Sequence, residues 1–166
     1  MTDIKRSPPP SWRFLFEHPA HFVACGLGSG LSPVAPGTAG TLFAWLSYPW
    51  LRSQFSELDF LEFLLAAFLL GIYACGKTGR DLGVPDHGAM VWDEIVPFWL
   101  ILLLCPPDQW WQFAAFLLFR GFDIIKPPPI RQLDRSLKNG LGVMLDDLLA
   151  AAYTLLVLAL AKLLLD

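Results

Sequence analysis

Five apolar stretches run along the chain, separated by short polar clusters. The first is uncharged from Val23 to Leu51, but its early half is rich in glycine and proline, so a helix is expected only from about Thr38. The others are Phe63–Gly76, Ile95–Cys105, Gln109–Phe119 and Leu148–Ala161. None shows the period-two alternation of a barrel strand, which leaves helices. Crossing about 30 Å of hydrocarbon takes roughly 20 helical residues, more than any of these uncharged cores supplies. Each span must extend through its polar flanks, or some helices enter only partway. Pro106, Pro107 and Asp108 predict a tight connection between the third and fourth segments, and Pro127, Pro128 and Pro129 stop the fourth. The pattern predicts an all-α fold: a compact polytopic membrane bundle of short helices with cytoplasmic-side loops. One domain is expected over residues 1–166, with 1–20 as a flexible or interfacial N-terminal segment.

Composition agrees. Apolar residues make up 55% and charged residues 16% of the chain, against roughly 45–50% and about 25% in soluble domains. The net charge of −3 is too small to identify a partner, and no nucleic-acid partner is expected. Cys25, Cys75 and Cys105 are far apart, odd in number and set in apolar surroundings, so they read as buried thiols rather than a disulfide framework or zinc site.

The distribution of charge says more than its sum. With the N-terminus in the cytoplasm and all five segments crossing, Lys5, Arg6, Arg13, Lys77, Arg80, Arg120, Lys126, Arg131, Arg135 and Lys138 lie inside. Only Arg52 and Lys162 fall outside, the bias expected of a cytoplasmic face. The same threading gathers residues 26–41, 81–94 and 123–147 at that face.

Acids are abundant there. Asp93 and Glu94 precede one apolar run, Asp146 and Asp147 another, and Asp81, Asp86, Asp123 and Asp134 lie in the same loops. Charge this close to lipid-seeking sequence is costly unless paired, metal-bound or wet. A hard cation such as Mg²⁺ takes oxygen ligands of this kind. Neighbours on a helix diverge by about 100°, so one member of each pair can face the interior and the other a rim. The competing explanation is helix capping, since acids favour a first turn. Lys126, Arg131 and Arg135 follow Asp123 in a stretch stiffened by prolines and could grip phosphate; attraction to anionic headgroups explains Arg131 and Arg135 equally well. Gly28, Ser29 and Gly30, then Thr38 at a helix start, could cradle a phosphate through backbone N–H groups, or merely allow close helix packing. His87, between Asp86 and Gly88, is the histidine best placed for proton transfer, although lone histidines are usually structural. His18 and His21 are expected at the membrane interface. The seven tryptophans read as core and interfacial anchors.

These blocks resemble phosphatidylglycerophosphatase A. The resemblance rests on Gly26-Leu27-Gly28-Ser29-Gly30-Leu31-Ser32-Pro33 running into Ala35-Pro36-Gly37-Thr38, and on Asp86-His87-Gly88 with Val91-Trp92-Asp93-Glu94-Ile95-Val96. It continues through Phe119-Arg120, Phe122-Asp123-Ile124, Lys126-Pro127, Pro129-Ile130-Arg131 and Gly140-Leu141-Gly142-Val143-Met144 with Asp146-Asp147. It implies a bacterial inner-membrane, multi-pass enzyme of phospholipid biosynthesis, on the way to cardiolipin, with its active site facing the cytoplasm. Such an enzyme hydrolyses the terminal phosphate of phosphatidylglycerophosphate, using Mg²⁺, to phosphatidylglycerol and inorganic phosphate. On that basis Asp93, Glu94, Asp146 and Asp147 are expected to hold Mg²⁺. Asp86, His87 and Asp123 are expected to serve catalysis, and Gly28, Ser29, Gly30, Thr38, Lys126 and Arg131 to bind the phosphate. Attack by water and passage through an aspartyl-phosphate are both open. Pro97 and Ala151 stand where the family usually has glycine. Two rivals from other classes are a small transporter, which predicts ionisable residues near mid-membrane on several helices, and a structural lipid-binding protein, which leaves the paired acids without a purpose.

Overall fold

The structure, a computed structural model, describes residues 10–165, all helix and loop with no strand among them. Among the described residues eight α-helices follow in order: α1 Trp12–Glu17, α2 Pro19–Ala24, α3 Pro36–Arg52, α4 Glu57–Leu82, α5 Trp92–Leu104, α6 Gln109–Ile125, α7 Ile130–Ser136 and α8 Gly140–Leu165. A 3-10 segment, Gly26–Leu31, links α2 to α3. All five apolar stretches are helical, and the short α1, α2 and α7 are additions that apolar length alone does not signal.

Local chemistry sets the boundaries. Ser56 caps α4 by accepting the Asp59 N–H, and Gly83 in the left-handed region ends it. Asp108 caps α6 through the Trp110 N–H at 2.9 Å, which is how the proline-rich connection restarts a helix at once. Lys126 takes a left-handed conformation (φ 47°) before Pro127 and closes α6.

Among the described residues only α4 and α8, of 26 residues each, are long and apolar enough to cross a membrane, at about 39 Å apiece. They extend through polar flanks, one of the two expected outcomes. Helix α5 is shorter. At 13 residues it measures about 20 Å, and it is buried from Trp92 to Trp99. It forms the centre of the bundle, packed by α3, α4, α6 and α8. Its indoles bond outward into that packing, Trp92 to the Ala67 carbonyl and Trp99 to the Ala44 carbonyl, each at 3.0 Å. Trp12, Trp50 and Trp110 are exposed instead, so the tryptophans divide between core and surface. The three cysteines are free and buried, and burial pushes the Cys25 thiol up to about 12.

Helices α4 and α8 approach closely where Gly140 meets the Ile72 carbonyl and Gly76; a Cβ there would overlap backbone. At the N-terminal side, α1 and α2 form a hairpin held to α4. The His21 ring stacks on Phe14, its Nε2 lies 2.6 Å from Asp81 Oδ2, and Lys77 pairs with the same carboxylate. His21 is therefore buried rather than interfacial. Of the segment expected as flexible or interfacial, 1–9 lie outside the described residues and the rest is docked helix.

Candidate active site

One end of the bundle collects the start of α3, the start of α5, the end of α6 and the second turn of α8 around a cavity of about 690 Å³. Ala35, Pro36, Gly37 and Thr38 line it from the first wall, and Asp86, Gly88 and Met90 from the loop before α5. Asp93 and Glu94 come from α5, Arg120, Asp123, Ile124 and Lys126 from α6, Asp134 from α7, and Asp146 and Asp147 from α8. The helices run alternately toward and away from this end, so five distant segments converge on it.

Both carboxylates of each adjacent pair line the cavity and are buried, so the expected split between interior and rim does not occur. Capping does not explain Asp146 and Asp147. Asn139 Oδ1 accepts the Gly142 N–H at 3.0 Å at the start of α8, leaving the two acids beyond the first turn. Asp93 and Glu94 do occupy the first turn of α5, where the helix dipole favours them, but they are buried at the cavity as well.

Two cations enter among the acids. Arg120 Nη1 lies 3.1 Å from Glu94 Oε1 and 2.9 Å from Asp123 Oδ2, and 3.5 Å from Thr41 Oγ1 across on α3. Lys126 Nζ pairs with Asp146 and, at 3.3 Å, with Asp134 Oδ1. The left-handed backbone at Lys126 costs roughly 1–2 kcal/mol for a residue with a Cβ, and the pairing with Asp146 shows what that conformation achieves. It turns the ammonium back into the cavity instead of onward along α7.

Several expected site residues lie elsewhere. Gly28, Ser29 and Gly30 do not line the cavity. Gly30 sits against the Ala89 carbonyl, where no Cβ fits, and the Ser29 hydroxyl donates to the Gly26 carbonyl at 2.8 Å, so close packing accounts for this segment. Thr38 does line the cavity, in the first turn of a helix that begins two residues earlier than expected. His87 is buried and braces the loop: its Nδ1 accepts the Ala89 N–H at 3.1 Å and its carbonyl accepts the Met90 N–H at 2.8 Å. Burial pushes its imidazole below the ordinary histidine value, against the opposing pull of Asp86. Arg131 is exposed and donates to the Ile125 carbonyl at 3.1 Å. Asp81 belongs to the His21 cluster. Sequence reasoning gave no site role to Arg120, which it counted in the basic loop bias and quoted in the Phe119-Arg120 block. Its signal was position, one helical turn before Asp123 on the last apolar face of α6.

A profile of the family described as phosphatidylglycerophosphatase A matches residues 22–162. The chain belongs to the phosphatidylglycerophosphatase A family. Its similarity to a Haemophilus influenzae phosphatidylglycerophosphatase A is 49% identity over 141 residues, covering 84% of this chain and 86% of that protein. An Escherichia coli K12 phosphatidylglycerophosphatase A is 40% identical over 146 residues, covering 86% and 83%. A Bacteroides thetaiotaomicron protein named "Putative phosphatidylinositol-3-phosphatase" is 40% identical over 147 residues, covering 84% and 91%. No solved structure matches the chain. Membership of the phosphatidylglycerophosphatase A family makes the chain a phosphatase, and the cavity is the place its chemistry fits.

A phosphatase of this family must admit a phosphate dianion, and the charge balance of the cavity opposes that. Asp86, Asp93, Glu94, Asp123, Asp134, Asp146 and Asp147 stand against Arg120 and Lys126, a formal excess of five negative charges. Added cationic charge would favour a phosphate here, and carboxylate oxygens are the donors that a hard divalent cation takes. The donor chemistry therefore fits Mg²⁺. Among the described residues, no three His, Cys, Asp or Glu side chains already stand as a metal-holding group; the cations of α6 are interposed.

Proposed function

We propose that the chain hydrolyses the terminal phosphate of phosphatidylglycerophosphate, releasing phosphatidylglycerol and inorganic phosphate, in a Mg²⁺-dependent reaction at the cytoplasmic face of the bacterial inner membrane. The observation that carries the reading is the cavity itself: seven carboxylates and two cations at one end of an otherwise apolar bundle. The names of two relatives supply the substrate, and the outward leucines of α4 and α8 (Leu61, Leu65, Leu69, Leu156, Leu160) supply a surface suited to hydrocarbon. Arg52 and Lys162 stand at the ends of α3 and α8 remote from the cavity. That arrangement supports a cytoplasmic cavity end and a multi-pass topology. A transporter would carry ionisable groups along a path through the bundle, whereas here they gather at one end.

Asp93, Glu94, Asp146 and Asp147 would hold the ion. Bound there, Mg²⁺ supplies positive charge against the phosphate and acidifies water. Arg120 and Lys126 reach into the cavity and would each exchange a carboxylate partner for non-bridging phosphate oxygens. The Gly37 and Thr38 N–H groups, in the first turn of α3, add donors at a helix start. Asp123, oriented by Arg120, would take the proton of the attacking water at a carboxylate oxygen. A P–O bond to the water oxygen forms as the bond to the glycerol oxygen breaks; that oxygen takes a proton from solvent and leaves as the alcohol, and Asp123 returns its proton to solvent.

The test is phosphate release from phosphatidylglycerophosphate in detergent micelles, with Mg²⁺ or with EDTA. Phosphatidic acid, phosphatidylinositol 3-phosphate and a soluble phosphomonoester run in parallel. Mg²⁺-dependent turnover selective for phosphatidylglycerophosphate is expected. Preference for the inositol lipid would overturn the substrate assignment, and full turnover in EDTA would overturn the metal requirement.

A further inference from the structure

Helices α3 and α6 both pack on α5 and make few backbone contacts with each other. Side chains bridge them: the Trp45 indole donates to Gln112 Oε1 at 2.8 Å, and its ring lies 5.6 Å from that of Phe116. The gap is an apolar groove of about 570 Å³ that includes Leu42, Trp45, Leu46, Trp110 and Phe113, with Leu46 80% and Trp110 79% exposed.

The groove and the phosphate cavity are lined by successive residues of the same two helices. On α3, Thr38 lines the cavity, and Leu42, Trp45 and Pro49 line the groove at helical spacing along one face. On α6, Arg120 lines the cavity and Phe113 the groove, with Phe116 between them. The Arg120 guanidinium, near Thr41 and paired with Glu94, marks the junction of charged and apolar parts. From Thr38 to Pro49 the wall is about 16 Å long, half of the roughly 30 Å hydrocarbon core, which is the depth of one leaflet. Another outward groove, between α6 and α8, has walls in direct contact.

We propose that the α3–α6 groove holds an acyl chain of the phospholipid whose phosphate occupies the cavity, so that the substrate enters sideways from the membrane between these helices. The inference rests on the lipid-phosphate reading above. It assigns a tail site, and with it a contact that distinguishes a membrane lipid from its water-soluble headgroup.

Two measurements test it. In phosphatidylcholine nanodiscs, phosphatidylglycerophosphate carrying a diazirine at the end of one palmitoyl chain is photolysed, and adducts are mapped by mass spectrometry. Adducts within 42–49 and 109–117 are expected, reduced at least fivefold by unlabelled phosphatidylglycerophosphate. Adducts that are not competed, that concentrate on the outer face of α4, or that join two copies of the chain overturn the proposal, whether or not turnover is seen. In the second measurement, Leu42→Trp narrows the groove at a partly exposed position. The ratio of kcat/KM for the dipalmitoyl lipid over that for its deacylated headgroup is expected to fall at least tenfold. Leu69→Trp, on the outer face of α4, should leave the ratio as in wild type. An unchanged ratio in Leu42→Trp refutes the tail site while leaving the phosphatase reading intact. Wild-type protein that hydrolyses neither substrate refutes that reading, and the photolabelling still decides on the groove.

Discussion

Arg120→Ala is the most informative single change. Arg120 lies 3.1 Å from Glu94 and 2.9 Å from Asp123, with side chains only 13%, 11% and 9% exposed respectively. At an effective dielectric of about 20, each pair at this separation attracts by roughly 5 kcal/mol. Desolvation of the three charges opposes that, and breaking a buried pair from one side has a net cost of about 3–5 kcal/mol. Truncation to alanine leaves both carboxylates facing an anionic cavity. With roughly 2–4 °C lost per kcal/mol at this chain length, the melting temperature should fall by about 10 °C. The assay is thermal unfolding in detergent followed by tryptophan fluorescence, with Glu94→Gln and the double variant measured alongside. Neutralising Glu94 removes one of the two stranded charges, so the double variant should recover about half of the loss, and adding Asp123→Asn should recover more. Hydrolysis should be abolished throughout, separating stability from activity. A loss below about 1 kcal/mol for Arg120→Ala, with additive effects in the double variant, is the behaviour of a solvent-screened surface pair and would refute the reasoning.

Lys126→Met keeps the length of the side chain and removes its charge, so phosphate release should drop at least 100-fold. Because it strands Asp146, which is as buried as the partners of Arg120, the melting temperature should fall by a comparable amount, and Asp146→Asn in the same background should recover part of that loss. Gly37→Ala places a Cβ against the far ends of Glu94 and Arg120; because side chains can yield, activity should fall at least tenfold with little change in stability. Gly140→Ala meets backbone of α4 instead, so it should lower stability by about 1–3 kcal/mol, measured by urea unfolding in micelles. For His87, the folded-state value is depressed, so the unfolded chain binds the extra proton and stability rises with pH. Stability should be full above the unfolded value of about 6.5 and decline as pH falls from there toward the folded value. His87→Gln should flatten that part of the profile, and an unaltered slope would remove His87 as its source.

The helices were legible because apolar length and proline punctuation are local properties. Phe63–Gly76 and Leu148–Ala161 each lie inside a longer helix, α4 and α8, as hydrocarbon thickness demands. What the pattern did not convey is that α5, the most apolar in appearance, is the one enclosed by the others. Hydropathy measures avoidance of water and does not separate lipid from protein interior. At the site, the carboxylate pairs were legible from their position beside apolar runs, where unpaired charge is costly. Arg120 was not, because arginine near a membrane face has a general explanation that conceals a particular one. The glycines at 28 and 30 and His87 present the opposite case. Their types suit phosphate binding and proton transfer, but in the fold they are occupied with packing and bracing, which depend on contacts made by distant residues such as Ala89 and Val91.

The enclosed position of α5 bears on how the molecule is made. A short helix with Asp93 and Glu94 in its first turn cannot settle in hydrocarbon by itself, since insertion scales charge about 2.5–3.5 kcal/mol for one aspartate at a helix centre. Helix α5 is enclosed only once α6 has brought Arg120 and α8, later in the chain than either, has covered its remaining flank. A chain cut short before α8 would leave the acidic end of α5 uncovered, so synthesis of α8 is what closes the charge cluster.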